Sequence, residues 1–244
     1  MERIGQLSIL RRYPVKSMAG EDLEEARVGF AGLLGDRVFA FIDNRNRSTF
    51  PWMTARQGHE LILFRPRFLD PPAIEEENPD AARYAVEVTT PEGETFHMGD
   101  SRFTRYLEER FGRSLRLRFS ERCQTDARPI SILGLSTASA LSKETGIDLD
   151  TRRFRANFYV RWDNDQAYCE DDLIGHELQI GDTVTVKLVK KDERCVMITL
   201  DPKTAAPAPL VLHTVALRHQ GCLGVYGVVL REGIARINNP VYLV

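Results

Sequence analysis

The chain has 244 residues, with 33 Lys+Arg against 35 Asp+Glu and 43% hydrophobic residues. At about 100–200 residues per domain this is one large domain or two small ones, with enough apolar content for a sizeable core. A net charge of -2 lacks the basic excess of a nucleic-acid binder, and no apolar run approaches the roughly 18 residues of a membrane span. The opening MERIGQLSILRRYPVK has no signal-peptide core, so the expectation is a cytoplasmic chain.

Along the chain, RVFAFID (37–43) alternates Phe39 and Phe41 with Val38, Ala40 and Ile42, the period of a strand. LILF (61–64) and YAVEVT (84–89) read as further strands. Between them PRFLDPPAIEEENPD (66–80), rich in Pro and Glu, reads as a long loop. Asp100 is placed to cap a helix carrying Phe103, Tyr106, Leu107 and Phe111 and stopped by Gly112. SLRLRF (114–119) is a strand, and a domain break is expected near 120–130, dividing the chain into 1–122 and 123–244. A second helix starts near Ser136 and ends at Gly146. NFYVRW (157–162), TVTVKLV (183–189), CVMITL (195–200) and PVYLV (240–244) are strand candidates, with DPKTAAPAP (201–209) a loop. Strands and helices do not alternate regularly, which disfavours a doubly wound parallel sheet; the reading is an α+β, β-rich chain of mainly antiparallel sheet.

Several motifs are excluded by spacing. GFAGLLGD (29–36) is G-x-x-G-x-x-G between two predicted strands, a turn rather than a dinucleotide loop. His213 and His219 are too far apart in register to share a helical face, and GLSTA (134–138) breaks the hydrolase elbow. Cys123, Cys169, Cys195 and Cys222 form no C-x-x-C pair, which disfavours a zinc ribbon, a thioredoxin-type centre or a sequence-local iron–sulfur cluster. Taken singly, Cys195 reads as a small buried hydrophobe, and Lys16, Arg37 and Arg155 as surface cations. Arg194 beside Cys195 would favour a thiolate if its head reached the sulfur.

Together, however, the segments resemble a known family. YPVKSMAGEDLEEARVGFAGLLGDRVFAFID followed by TARQ (54–57) is similar to the N-terminal β-barrel module of MOSC proteins. RFRAN (153–157), CEDDLIGHELQIGD (169–182), RCVMITLDP (194–202) and GVYGVVLREGIARINNPVYLV resemble the MOSC domain itself. The resemblance implies an N-terminal β-barrel-like domain followed by a MOSC β-barrel with a few helices. Its nearest functional likeness, the mitochondrial amidoxime-reducing component and its bacterial relatives, implies molybdenum cofactor and reduction of N-hydroxylated compounds by oxygen-atom transfer to the metal. Carried over residue by residue, Cys195 is the molybdenum ligand. Lys16, Ser17 and Arg37 hold the pterin phosphate, Arg155 and Asn157 line the cofactor, and Arg194 and Tyr226 complete the site. Asp126 is mapped as a proton-handling residue. An anionic dithiolene with a phosphate needs such cations, and arginine offers planar paired donors.

Glu193 departs from the pattern, since the reducing enzymes carry Ser or another small residue before Arg-Cys. Some bacterial relatives carry a fused ferredoxin, whereas this chain reaches Val244 without a cysteine cluster. The expected electron donor is therefore a separate ferredoxin, flavoprotein or cytochrome. The rival readings are a molybdenum-cofactor carrier or a sulfur relay on Cys195. Pyridoxal phosphate on Lys16 is disfavoured, because no partner for its pyridinium nitrogen is evident.

Overall fold

A computed structural model describes residues 1–70, 74 and 85–244. Strand β1 (Glu2–Arg12) opens the chain, followed by β2 (Glu21–Leu23), the hairpin β3 (Glu25–Gly29)–β4 (Gly32–Leu33), β5 (Phe39–Asp43) and β6 (Trp52–Met53). The meander β7 (Arg65–Phe68), β8 (Val86–Thr89) and β9 (Thr95–His97) leads into helix α1 (Ser101–Phe111) and strand β10 (Leu115–Phe119). The second half holds β11 (Ile130–Gly134), α2 (Leu135–Thr145), β12 (Phe158–Trp162), β13 (Glu177–Ile180) and β14 (Val184–Glu193). Helix α3 (Pro209–Arg218) and strands β15 (Cys222–Arg231), β16 (Gly233–Arg236) and β17 (Pro240–Leu243) end it.

Seven strands close into a barrel in the order β12-β11-β15-β14-β13-β17-β1, with β1 pairing back onto β12. Inward residues at period two (Leu178 and Ile180; Val184, Val186 and Leu188; Val225 and Val229) fill it with branched side chains that are nearly all fully buried. Each such side chain contributes roughly 1.5–3 kcal/mol on leaving water. Strands β11 and β12 run parallel, so their connection must cross over, and α2 makes that crossing. Helices α2 and α3 cover the outside of the barrel through Leu141, Val211 and Val215. Because β1 is a barrel stave and β3 pairs with β16, a cut at 122/123 leaves both strands on the far side from their partners.

The other lobe packs the sheets β10-β5-β6 and β7-β8-β9 with α1 round a core of Phe41, Phe64, Phe96 and Phe103. Its helix forms as the caps require: the Asp100 carboxylate accepts from the Arg102 amide at 2.8 Å, and Gly112 turns left-handed at φ +63.

Two expected strands are instead single 3-10 turns. LILF belongs to a turn over His59–Leu63, which puts Leu61 and Phe64 into one core and Ile62 into another. CVMITL becomes a turn over Val196–Thr199, with the Ile198 amide donating to the Cys195 carbonyl at 3.2 Å. A short, wholly apolar run carries no period, so it cannot distinguish these conformations by itself. The 66–80 loop begins instead as strand β7 over its first residues; residues 71–73 and 75–80 lie outside the described residues. The α3 helix follows the 201–209 loop, with Pro209 in its first turn where a missing N–H costs nothing.

Candidate functional site

A cleft of about 740 Å3, counting the space open to solvent at its mouth, lies where the two lobes meet. Its lining includes all nine residues selected from the sequence: Lys16, Ser17, Arg37, Asp126, Arg155, Asn157, Arg194, Cys195 and Tyr226. Seven cations line it, adding Arg56, Arg128 and Arg153, against the two carboxylates Asp126 and Glu193. A chain of net charge -2 thus concentrates positive potential in one concavity, where low-dielectric walls strengthen it.

The first wall follows β1. Lys16 is buried, its ammonium donating to the Gln124 carbonyl at 2.8 Å and pairing with Asp126. Burial lowers its pKa, against the opposing pull of Asp126. Arg37 pairs with the buried Asp36, whose carboxylate also accepts from the Tyr13 amide at 2.8 Å and from the Cys123 thiol at 3.0 Å. Burial opposes the Arg37 charge, but Asp36 more than restores it. Arg37 and Arg155 both lie over the Tyr13 ring, at 4.6 and 4.2 Å from its centre.

Ser17, Arg37 and Arg155 each adopt left-handed backbone, at φ +66, +49 and +55. Non-glycine residues pay roughly 1 kcal/mol or more for that conformation, and it persists where the surroundings fix it. Here they do: the Arg37 amide donates to the Tyr13 carbonyl at 2.6 Å, and Arg155 ends the 3-10 turn Thr151–Phe154.

Arg155 keeps one buried donor unsatisfied. One nitrogen donates to the Met18 carbonyl at 2.7 Å, while Nη2 is buried without a hydrogen-bond partner. Burial brings its pKa down to about 10. Arg153 likewise has a buried, unpartnered Nε, although its other nitrogens donate to the Thr199 carbonyl and to Asp201. A buried N–H with no acceptor is costly, and an incoming anion would supply the missing acceptor.

The opposite wall is built on the end of β14. Arg194 is spent on the protein: its donors reach the Leu223 carbonyl at 2.8 Å and the Phe154 carbonyl at 2.7 Å, and it pairs with buried Asp192 at 3.1 Å. Its head thus ties the residue before Cys195 to the end of the Thr151–Phe154 turn and to the start of β15. Next to Leu223, Gly224 at φ +74 lets β15 lie close against β11, since a Cβ there would stand 2.6 Å from the Ile132 carbonyl. Cys195 is half-buried, a free thiol at the start of its 3-10 turn. Asp192 also accepts from Ser131 at 2.8 Å, and burial pushes its pKa up despite Arg194. Burial also raises the Tyr226 phenol, with Asp192 adding to the effect. Asn157 faces inward but its amide is committed, donating to the Arg11 carbonyl at 3.2 Å and accepting from the Ser131 amide at 3.3 Å. Glu193 is exposed and pairs with Lys190.

The sequence reading missed several members of this constellation. Thr54 and Arg56 lie in the TARQ segment and Arg153 in RFRAN, so a signal was present; Asp36 and Asp192 are neighbours of chosen arginines in the chain. Tyr13 opens the YPVKS segment, whereas Phe50 lies outside the segments that carry the resemblance.

The MOSC N-terminal beta barrel domain profile matches residues 4–109, and the MOSC domain profile matches residues 93–242. The chain belongs to the MOSC family. No curated protein matches the sequence. Among solved structures, the YUAD protein from Bacillus subtilis aligns over 98% of this chain and 94% of its own, at 13% identity and a TM-score of 0.51, a likeness of fold. YiiM from Geobacillus stearothermophilus aligns over 48% of this chain and 54% of its own, at 19% identity and a TM-score of 0.37.

MOSC domains are associated with molybdenum cofactor, and the chemistry of this MOSC cleft can be tested against that group. Among the described residues no three His, Cys, Asp or Glu side chains converge as a metal cage. A metal here would have to bring most of its own ligands, as a metal held by a pterin dithiolene does. The lone thiol, the cationic lining and the unpartnered Arg155 and Arg153 donors fit such an anion.

Proposed function

We propose that this MOSC protein binds molybdenum cofactor in the cleft between its lobes and reduces N-hydroxylated compounds there. The observation that carries the reading is the unpartnered Arg155 donor in a cleft lined by seven cations and one free thiol. In this reading Lys16, Ser17 and Arg37 take the cofactor's phosphate, and Arg155 donates its unpaired N–H to the anion. Asn157, its amide already committed, holds β12 against β1 and β11 behind the site. Arg194 fixes the backbone on which Cys195 presents its sulfur as the protein's single ligand to the metal. When bound, the cofactor supplies two-electron oxygen-atom transfer, which turns an N–OH group into N–H and water. Asp126, exposed and paired with Lys16, exchanges protons between solvent and the cleft mouth. Tyr226, hydrogen-bonded to Asp192 beneath it, orients a polar substrate group. Electrons arrive from a separate protein.

The test is molybdenum per chain by mass spectrometry, with pterin assayed by fluorescence after oxidation, for wild type and Cys195→Ser from a cofactor-competent host. Near-stoichiometric metal in the wild type, lost or spectroscopically altered in the variant, is the expected result. Benzamidoxime turnover with a chemical reductant should follow the metal content. Folded protein without metal or pterin from that host would reject the reading.

A further inference from the structure

Two stretches, 44–56 and 113–128, carry eight arginines against the carboxylates of Glu121 and Asp126, a local excess on a chain of net charge -2. The fold brings both stretches to one small sheet. Strand β5 lies between β6 and β10, with Ile42 opposite Trp52 on one side and Arg116 on the other, so these three side chains share a face. Arg118, two residues on, stays on that face, and its guanidinium lies 5.7 Å from the centre of the Trp52 ring. The Lys16 ammonium of the cleft is also 5.7 Å from that ring. The basic face is thereby continuous with the cleft across a single indole.

The loop that carries Arg45 and Arg47 is tied to the same place. The Asn44 amide donates to the Ser114 carbonyl at 2.8 Å at the start of β10, and the Asn46 side chain donates to the Phe50 carbonyl at 3.0 Å. Phe50 lines the cleft. Arg45, Arg47, Arg116 and Arg118 are all exposed, and among the described residues none has an ion-pair partner, unlike Arg113, which is paired with Asp43. Asp43 feels the Arg45 charge, but it is already paired with Arg113, so the face as a whole keeps an excess of positive charge that an apposed acidic surface would complement.

Resting on the reductase reading, we propose that the face of β5, β6 and β10 beside the cleft is the docking surface for a small acidic electron-carrier protein. Such encounters bury little area and are steered by complementary charge, which suits a basic rim around a recessed site. The electron balance is simple for a one-electron carrier: two reduced carriers each leave oxidised, and their two electrons with two protons convert one N–OH into N–H and water. The other polyanion that a basic face could take, duplex DNA, is an outcome of the test.

The experiment uses the full chain purified from a cofactor-competent host, with two acidic carriers of unlike fold, a plant-type [2Fe–2S] ferredoxin and a flavodoxin. Basic cytochrome c and a DNA duplex serve as comparators. Affinity is measured by calorimetry at low and high salt for wild type, Arg116→Glu/Arg118→Glu and Arg45→Glu/Arg47→Glu. Thermal melts and molybdenum content are measured on the same preparations. The expected result is binding of an acidic carrier that weakens with salt and falls at least about tenfold in each reversal variant, with melts and metal content unchanged. Failure of both acidic carriers to bind, equal affinity for cytochrome c, or tighter binding of DNA overturns the proposal. Metal-loaded protein whose carrier affinity ignores the reversals overturns the docking surface alone. Metal-free wild type removes the reductase reading, and this proposal with it.

Discussion

Replacing Arg194 by Ala removes its bonds to the Leu223 and Phe154 carbonyls and strips Asp192 of its counter-charge. The Asp192 side chain is 3% exposed, so water cannot take the place of the guanidinium. Breaking a buried pair by removing one partner costs about 3–5 kcal/mol, chiefly because the survivor stays charged and desolvated. With a urea slope of about 3 kcal/mol/M, the unfolding midpoint should fall by about 1–2 M. Much of that penalty belongs to Asp192, so Asp192→Asn in the Arg194→Ala background should recover part of it. The double-mutant cycle should give a coupling energy of about 1–3 kcal/mol.

The pH dependence has a fixed sign. Burial raises the Asp192 pKa in the folded protein, and losing Arg194 leaves burial less opposed. The folded state then binds a proton more readily than the unfolded chain, so the Arg194→Ala penalty should shrink as pH falls from 7 toward the ordinary Asp value of 3.8. Urea titrations at several pH values, followed by circular dichroism, measure both effects. Additive single and double variants, or a penalty that grows on acidification, would refute the reasoning.

Arg155→Met removes a buried donor without an acceptor together with the bond to the Met18 carbonyl, so cofactor-free protein should stay close to wild-type stability, while stabilisation by added inorganic phosphate should weaken without vanishing because Lys16, Ser17 and Arg37 remain; scanning fluorimetry with and without phosphate checks this. Glu170 is fully buried and accepts from the Gly134 amide at 3.0 Å and the Thr137 hydroxyl at 2.9 Å at the start of α2. Glu170→Ala should therefore cost about 2–4 kcal/mol in chemical unfolding, and Glu170→Gln less. Glu144 joins α2 to α3 by accepting from Tyr168 at 2.6 Å and contacting His219 at 2.8 Å. Burial opposes its ionisation, but Tyr168 and His219 outweigh burial and hold its pKa below the ordinary 4.5. Its contribution is fully present above pH 4.5 and is lost as pH falls through the depressed value, so the stability cost of Glu144→Gln should be largest at pH 7 and shrink progressively on acidification below 4.5, as a series of urea midpoints would show.

Where local chemistry sufficed, the sequence was legible. The α1 helix has its Asp100 cap and its Gly112 stop, and β14 and β5 show their period, because caps and alternation act between residues close in the chain. Segments such as P-V-K-S, R-F-R-A-N and R-C-x-x-x-T-x-D-P were enough to select nine residues by resemblance. Tertiary packing decided what those signals could not. Burial in different cores turned two apolar runs into 3-10 turns rather than strands, and barrel closure drew residues 2–12 into the second lobe. Convergence itself is the clearest case. Lys16 and Asp126, or Arg37 and the Arg155 carbonyl, meet across more than a hundred residues, and no local rule encodes that. The same folding engaged Arg194 with backbone carbonyls and left Arg155 with an open donor. Alike in sequence as two arginines, they differ because a guanidinium's role is set by which acceptors the fold places within its reach.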